Sequence, residues 1–242
     1  TAPVAGLTTT ILSGLTTTQV GGLTTAQIGA ITTAQVTSLT TTQLANLTTT
    51  QVGGLTSAQI GALTTTQTGG LTSTEIGVLT STQLGGLKAA NVTALTTTQV
   101  GGLTSTQVGA LSTSQATALT STQIGALTTS QLAGLEATDI AVLSSTQASG
   151  LTTTQIGALT TAQVAGFKNT TLTGFNTTQL GTLAATQVGA LSTATVAGLT
   201  TTILSGLTTT QVGGLTTAQI GAITTAQVTS LTTTPPANLT TT

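Results

Sequence analysis

The sequence predicts an all-α repeat solenoid made of very short capped helices. Three observations predict this fold. A large apolar residue, nearly always leucine, returns every eight residues from Leu7; threonine or serine usually follows it, with glutamine three residues later; and small residues close most octads, as in LTTAQIGA at 23–30. Self-similarity at a fixed short period is typical of repeat architectures. Helices this short are unstable alone, so stacking between repeats must supply nearly all of the stability.

Each octad starts with the residue types that begin a helix. With leucine as position 1, the threonine at position 2 is a favourable N-cap, and the glutamine at position 5 completes a capping box. The aliphatic residue at position 6 pairs with position 1 as a hydrophobic staple. We therefore expect positions 1 and 6 to form the core, with threonine and glutamine facing solvent. Lys88, Lys168 and Ala184 stand at the N-cap position of their octads, and these helix starts should be weaker.

A β-solenoid is the alternative fold. Threonine, valine and isoleucine favour strands, and two arms of one octad each would suit a two-sided β-solenoid with a 16-residue coil. Positions 1 and 6 are five residues apart, however, so they would point to opposite faces of one strand. A corner would have to fall between them. The helical interpretation accounts for more positions of the octad, and we adopt it.

A second period of 16 residues lies within the octad pattern. When octads are numbered from Leu7, even octads usually end in glycine and odd octads often end in alanine. Every isoleucine at position 6 lies in an odd octad, and so do all five charged residues. Bulky and small residues would then form facing layers of one packed core. The sequence therefore predicts a coil of 16 residues made of two unequal octads.

A third period spans most of the chain. Val4 to Thr42 recurs without change as Val196 to Thr234, an offset of 192 residues, after which Gln43-Leu44 is replaced by Pro235-Pro236. No change of composition marks a boundary. The sequence predicts a single continuous repeat array over residues 1–242, in which a segment has been duplicated.

The composition excludes several classes of function. Charged residues are 2% of the chain, the net charge is −1, and there is no Cys or His. Thiolate and imidazole metal sites are therefore excluded, and no basic surface exists for nucleic acid. No apolar run is long enough to span a bilayer. We expect no enzyme, no cofactor and no metal, and we expect Thr1 to begin a fragment or a mature segment.

Few residues stand out as candidate sites. Glu136 and Asp139 form the one close carboxylate pair, and an acid pair or weak cation site is the functional hypothesis for them. A variant capping box, with negative charge at a helix N-terminus, is the favoured interpretation.

Other departures from the octad are interpreted structurally. Lys88 and Lys168 should face solvent, and Phe167 and Phe175 should form one local patch of the core. Glu75, like Asp139 and Asn91, keeps an oxygen acceptor at position 5. The sequence predicts no catalytic, cofactor-binding or metal-binding residue.

The octads LTTAQIGA and LTTTQVGG resemble the Leu-Thr-x-x-Gln-aliphatic repeat tracts of very large bacterial surface or secreted proteins, often described as adhesin-like. The resemblance covers nearly the whole chain, although related tracts often place proline after the threonine and this chain does not. It implies an extracellular or cell-surface location.

The predicted function is structural: a rigid stalk, or a filament subunit that associates with itself laterally or end to end. The alternative is a threonine-rich module that binds a regular surface such as ice or polysaccharide.

Overall fold

The computed structural model describes residues 4–233, and this part of the chain is all-helical. It contains 28 short α-helices and one 3-10 turn, with no strand among the described residues. The predicted all-α solenoid is confirmed, and the β-solenoid alternative is wrong. The predictions that concern Thr1, Thr234 and Pro235-Pro236 lie outside the described residues.

Each octad from Leu7 contributes one helix of four to six residues, and only the last helix is longer. In chain order, the 3-10 turn Val4–Gly6 is followed by α1 Thr9–Ser13, α2 Thr17–Gly21, α3 Thr25–Ala30, α4 Thr33–Ser38, α5 Thr41–Leu44, α6 Thr49–Gly53, α7 Ser57–Ala62, α8 Thr65–Gly70, α9 Ser73–Gly77, α10 Ser81–Gly85, α11 Ala89–Ala94, α12 Thr97–Gly101, α13 Ser105–Gly109, α14 Thr113–Ala118, α15 Ser121–Ala126, α16 Thr129–Leu132, α17 Ala137–Ile140, α18 Ser145–Ser149, α19 Thr153–Ala158, α20 Thr161–Ala165, α21 Asn169–Leu172, α22 Thr177–Thr182, α23 Ala185–Ala190, α24 Thr193–Ala197, α25 Thr201–Ser205, α26 Thr209–Gly213, α27 Thr217–Ala222 and α28 Thr225–Thr233.

The helix starts have the predicted capping boxes. At α13, the Gln107 N–H donates to Thr104 Oγ1 at 3.2 Å, and the Thr104 N–H donates to Gln107 Oε1 at 2.7 Å. Two orphan donors of the first turn are thereby satisfied. Lys88 and Lys168 make no side-chain cap. Ala184 keeps half of the box, because its N–H donates to a glutamine oxygen at 2.7 Å.

Helices that pack on each other are three apart in the chain: α8 on α11, α11 on α14, α20 on α23 and α23 on α26. One coil therefore contains three octads, or 24 residues. The predicted 16-residue coil is wrong. The error came from assigning the alternation of even and odd octads to the two sides of one coil.

The alternation instead runs along the stack. Because stacked helices are three octads apart, every odd octad packs on even ones. Gly61 of an odd octad lies against Gly86 of an even octad: a Cβ on Gly61 would stand 2.6 Å from the Gly86 carbonyl oxygen. A Cβ on Gly86 would in turn collide with the Ser57 carbonyl oxygen. No described residue has a positive φ, so these glycines are required for close backbone approach and not for a left-handed conformation.

The core consists of positions 1 and 6, as predicted. Position 6 is fully buried in most octads, as at Val108, and position 1 is buried almost as completely, as at Leu103. Thr104 and Ser105 are exposed, as expected for positions 2 and 3. The glutamines, however, are buried in all but the first coil, as at Gln107. The prediction that glutamine faces solvent is wrong, because the side-chain amide has a second set of partners.

The chain divides into two compact units, Thr1–Leu119 and Thr120–Thr242. Within each unit, three-helix coils stack in the same way, by contacts between helices n and n+3. Since every coil repeats the same contacts, each unit is held together by interactions between neighbouring coils.

Candidate functional site

The most regular feature of the structure is a row of buried glutamine amides, which we name the glutamine ladder. Gln43 is representative. Its Oε1 accepts the N–H of Thr40 at 2.7 Å, while its Nε2 donates to the carbonyls of Leu12, Ser13 and Leu15 at 3.2, 3.2 and 2.7 Å. One amide thus caps its own helix and also satisfies carbonyl groups of the preceding coil.

The bond to the leucine or isoleucine carbonyl 28 residues earlier recurs along both units. The glutamines that make it are Gln35, Gln43, Gln51, Gln59, Gln67, Gln83, Gln99, Gln107, Gln115, Gln155, Gln163, Gln179, Gln187, Gln211, Gln219 and Gln227. Helix ends leave carbonyls without intrahelical partners, and burying such groups unpaired is costly. The ladder is the device that allows very short helices to be stacked without water between them.

Three residues that replace glutamine keep this donor. Asn91 Nδ2 donates to the Leu63 carbonyl at 2.9 Å, and Thr171 and Thr195 donate through their hydroxyls to the equivalent carbonyls at 2.9 and 3.0 Å. Asn91 also donates to the hydroxyl of Thr68, at 2.8 Å. Sequence reasoning missed this second role of position 5. The available sign was the strong preference for glutamine, since glutamate serves a capping box equally well.

Glu75 interrupts the ladder. Its Oε2 accepts the Thr72 N–H at 2.6 Å, which preserves the helix cap. Its Oε1 is buried and has no hydrogen-bond partner. The 28-residue spacing places this oxygen over the Leu47 carbonyl, which likewise receives no hydrogen bond from the described residues. Two acceptors therefore meet where every neighbouring coil has a donor and an acceptor.

The carboxylate pair is a helix start, as the favoured interpretation predicted. Asp139 is buried and its Oδ2 accepts the Glu136 N–H at 3.0 Å, whereas the Glu136 side chain is exposed and makes no cap. Burial raises the pKa of Asp139 above its ordinary value of 3.8; the backbone hydrogen bond opposes this shift, and the charge of Glu136 adds to it. The two carboxyl groups therefore differ in environment and do not converge on a common ligand.

The remaining singled-out residues lie where they were predicted. Lys88 and Lys168 are exposed. Phe167 and Phe175 are buried and contact each other edge to face, with ring centroids 5.5 Å apart and an interplanar angle of 79°. This geometry is favourable for aromatic pairs and fills one part of the core.

Two further searches were confined to residues 4–233. No group of three or more His, Cys, Asp or Glu side chains that could hold a metal ion is found there. None of the helices in this range has the length and apolar character needed to cross a bilayer.

Short capped helices, a three-helix coil and a repeated interior define this chain as an all-α repeat protein. The model of the ALTTAQ repeat family matches it seven times, at residues 21–49, 29–65, 39–73, 76–113, 97–129, 132–169 and 201–233. These segments together include more than half of the chain, which therefore belongs to the ALTTAQ repeat family. No match is found among curated proteins.

Proposed function

We propose that the chain is a non-catalytic structural element, a rigid spacer or stalk that works outside the cell. The glutamine ladder is the observation that carries this proposal. It uses the one distinctive polar side chain of each octad to join coils, so the repeated chemistry of the sequence is directed inward. A binding or catalytic function would instead place distinctive side chains on an exposed loop or in a cleft.

The connections between helices support the same role. Consecutive helices are separated by only two or three residues through most of the chain, as between Gly101 of α12 and Ser105 of α13. Ligand-binding repeat proteins commonly carry insertions on one face, and the described octads have none. The conserved result of each repeat is one more stacked helix.

Each coil adds stability that depends on its neighbours. Every ladder amide contributes hydrogen bonds worth about 1 kcal/mol each, and each buried aliphatic side chain at position 6 contributes roughly 1.5–3 kcal/mol. Opening one coil therefore breaks contacts with two others. A spacer built in this way resists bending and local unfolding, as a stalk requires.

The extracellular location is proposed from the resemblance to repeat tracts of large bacterial surface and secreted proteins. The absence of Cys is compatible with it, because the ladder and the core hold the fold together without disulfides. Labelling of intact cells of the source organism with an antibody to the chain tests the location; labelling only after the cells are made permeable would exclude it.

The spacer role is tested by shortening the chain by two complete coils, residues 39–86. We expect the solution structure to lose the length of two coils, about 16–20 Å if coils stack at the usual distance between packed helices, with helical content per residue unchanged. Small-angle scattering and circular dichroism provide the two measurements. A shortened chain with unchanged dimensions would show that the coils do not set a length.

One observation favours the alternative, a threonine-rich surface-binding module. Position 4 is exposed in octad after octad, as at Thr42, Thr50 and Thr66, which places hydroxyl and methyl groups at regular intervals. Ice or polysaccharide would be the matching ligand. Thermal hysteresis and retention on immobilised glycans test this function, and the absence of both would exclude it.

A further inference from the structure

The duplication places one sequence in two different structural settings. Residues 4–42 and 196–234 are identical, and their described parts have the same helices: α1 to α4 at the start of the first unit and α25 to α28 in the second. The first copy has coils only on its C-terminal side, and the second has coils on its N-terminal side. Each residue of the pair therefore shows what its twin gains from the neighbouring coil.

The N-terminal setting leaves a surface uncovered, which we name the leading edge: Ile11, Gln19 and Gln27. Ile11 is 51% exposed, whereas its twin Ile203 is 6% exposed. Gln19 and Gln27 make only their own helix caps. Their Nε2 atoms, the donors of the ladder, have no partner among the described residues.

The twins of these glutamines show what is missing. Gln211 Nε2 donates to the carbonyls of Leu180 and Leu183, at 2.7 Å in each case. Gln219 Nε2 reaches the Leu191 carbonyl at 2.6 Å. The leading edge therefore lacks one coil of the same repeat, and its unpaired groups are donors.

The C-terminal setting leaves the complementary surface, the trailing edge: Leu215, Ile220, Ile223 and Val228. Ile220 and Val228 are 46% and 47% exposed, although their twins in the first copy are fully buried. The carbonyls of Leu215 and Ile223 receive no side-chain donor from the described residues.

Their twins, Leu23 and Ile31, accept from Gln51 at 2.7 Å and from Gln59 at 2.6 Å. The trailing edge therefore presents free acceptors beside exposed aliphatic side chains.

We propose that a second copy of this chain docks head to tail, with the leading edge of one copy on the trailing edge of the other. Gln19 and Gln27 then donate to free carbonyls of the trailing edge, and the aliphatic side chains of both edges become buried. The contact repeats the one that already joins successive coils within each unit. This inference rests on the proposed structural role and names its partner.

The chemistry of the two edges favours this partner. Donors meet acceptors and apolar groups meet apolar groups, while a net charge of −1 produces little repulsion between copies. The contact joins two different surfaces, so it does not close on itself, and successive copies can add in one direction. We therefore expect open chains of several copies and not a closed dimer.

The test measures mass against concentration by sedimentation velocity and light scattering. The unaltered chain should exceed its monomer mass of 23.4 kDa progressively, beyond the mass of two copies. A leading-edge variant, Ile11→Lys, and a trailing-edge variant, Ile220→Lys with Val228→Lys, should each stay monomeric. Both change residues that are already exposed, so circular dichroism should remain that of the unaltered chain. Thr18→Lys, at an exposed position outside either edge, is the control and should still associate.

A mixture of the two edge variants gives the decisive result. Each variant retains one functional edge, so the mixture should form pairs of chains and nothing larger. Monomers at every concentration of the unaltered chain, or association that survives both edge variants, would overturn head-to-tail docking. Those outcomes leave the spacer role intact, since that role is judged by the loss of length on removing two coils.

Discussion

Glu75 provides the sharpest test of the glutamine ladder, because one oxygen atom stands where a nitrogen is required. In Glu75→Gln, the new Oε1 keeps the cap to the Thr72 N–H, which the carboxylate already accepts at 2.6 Å. The new Nε2 replaces the buried Oε1 that has no partner. It should donate to the Leu47 carbonyl, as Gln67 and Gln83 donate to their equivalents at 2.7 and 2.5 Å.

The expected gain follows from the two groups that become satisfied. A restored hydrogen bond contributes about 1 kcal/mol, and relief of an unsatisfied buried acceptor contributes roughly 1–2 kcal/mol more. Glu75→Gln should therefore raise the free energy of unfolding by about 2–3 kcal/mol. For a protein of this size the melting temperature should rise by roughly 5–10 °C.

The assay is urea denaturation followed by circular dichroism, in which a higher midpoint with an unchanged slope reports a change of stability. Gln83→Glu is the matched reverse substitution one octad later, and it should cost about the same amount, because it loses donors to the Gly53 and Leu55 carbonyls. If Glu75→Gln leaves the midpoint unchanged or lowers it, the ladder does not hold the coils together as described.

Three further predictions concern stacking, capping and pH. Deleting one octad, residues 47–54, should destabilise the first unit because odd octads then pack on odd ones and alanine takes the place of a required glycine; deleting two octads, residues 47–62, keeps the alternation and should cost less, as thermal melting can show. Thr104→Val should cost about 1 kcal/mol because the cap oxygen is lost, and the exposed neighbour Ser105→Ala should be neutral in the same urea titration; equal losses would contradict the capping role. Because burial raises the pKa of Asp139 above 3.8, the folded chain holds this proton longer than the unfolded chain, and stability should fall as pH rises from about 3.8. Asp139→Asn should remove that part of the pH dependence from a series of melting curves, and an identical profile would argue against the shift.

Much of the fold was readable from the sequence because the decisive interactions at a helix start are local. Thr104, Gln107 and Val108 lie within five residues, and their capping box follows from spacing alone. The same holds for the core, since positions 1 and 6 recur without exception of register. The helical interpretation succeeded over strands because it explained the threonine and the glutamine together.

The coil length could not be read in the same way, because it depends on contacts between residues far apart in the chain. A 16-residue alternation is compatible with any coil that has an odd number of octads, since stacked octads then differ in parity. Three octads are chosen by the geometry of close approach, as between Gly61 and Gly86. The burial of glutamine was missed for a related reason: its second set of partners lies 28 to 31 residues away, as for Gln43 with Leu12 and Leu15.

The stacking of odd on even octads also constrains how the gene for such an array can change length. Unequal recombination between similar repeats adds or removes whole octads, and an odd number would place like octads on like at the new junction. The duplication in this chain has an offset of 192 residues, which is 24 octads: an even number, and also a multiple of three. The copied segment therefore returned to the same parity and to the same side of the coil. Arrays of this family should accumulate duplications in steps of six octads, the smallest step that satisfies both conditions.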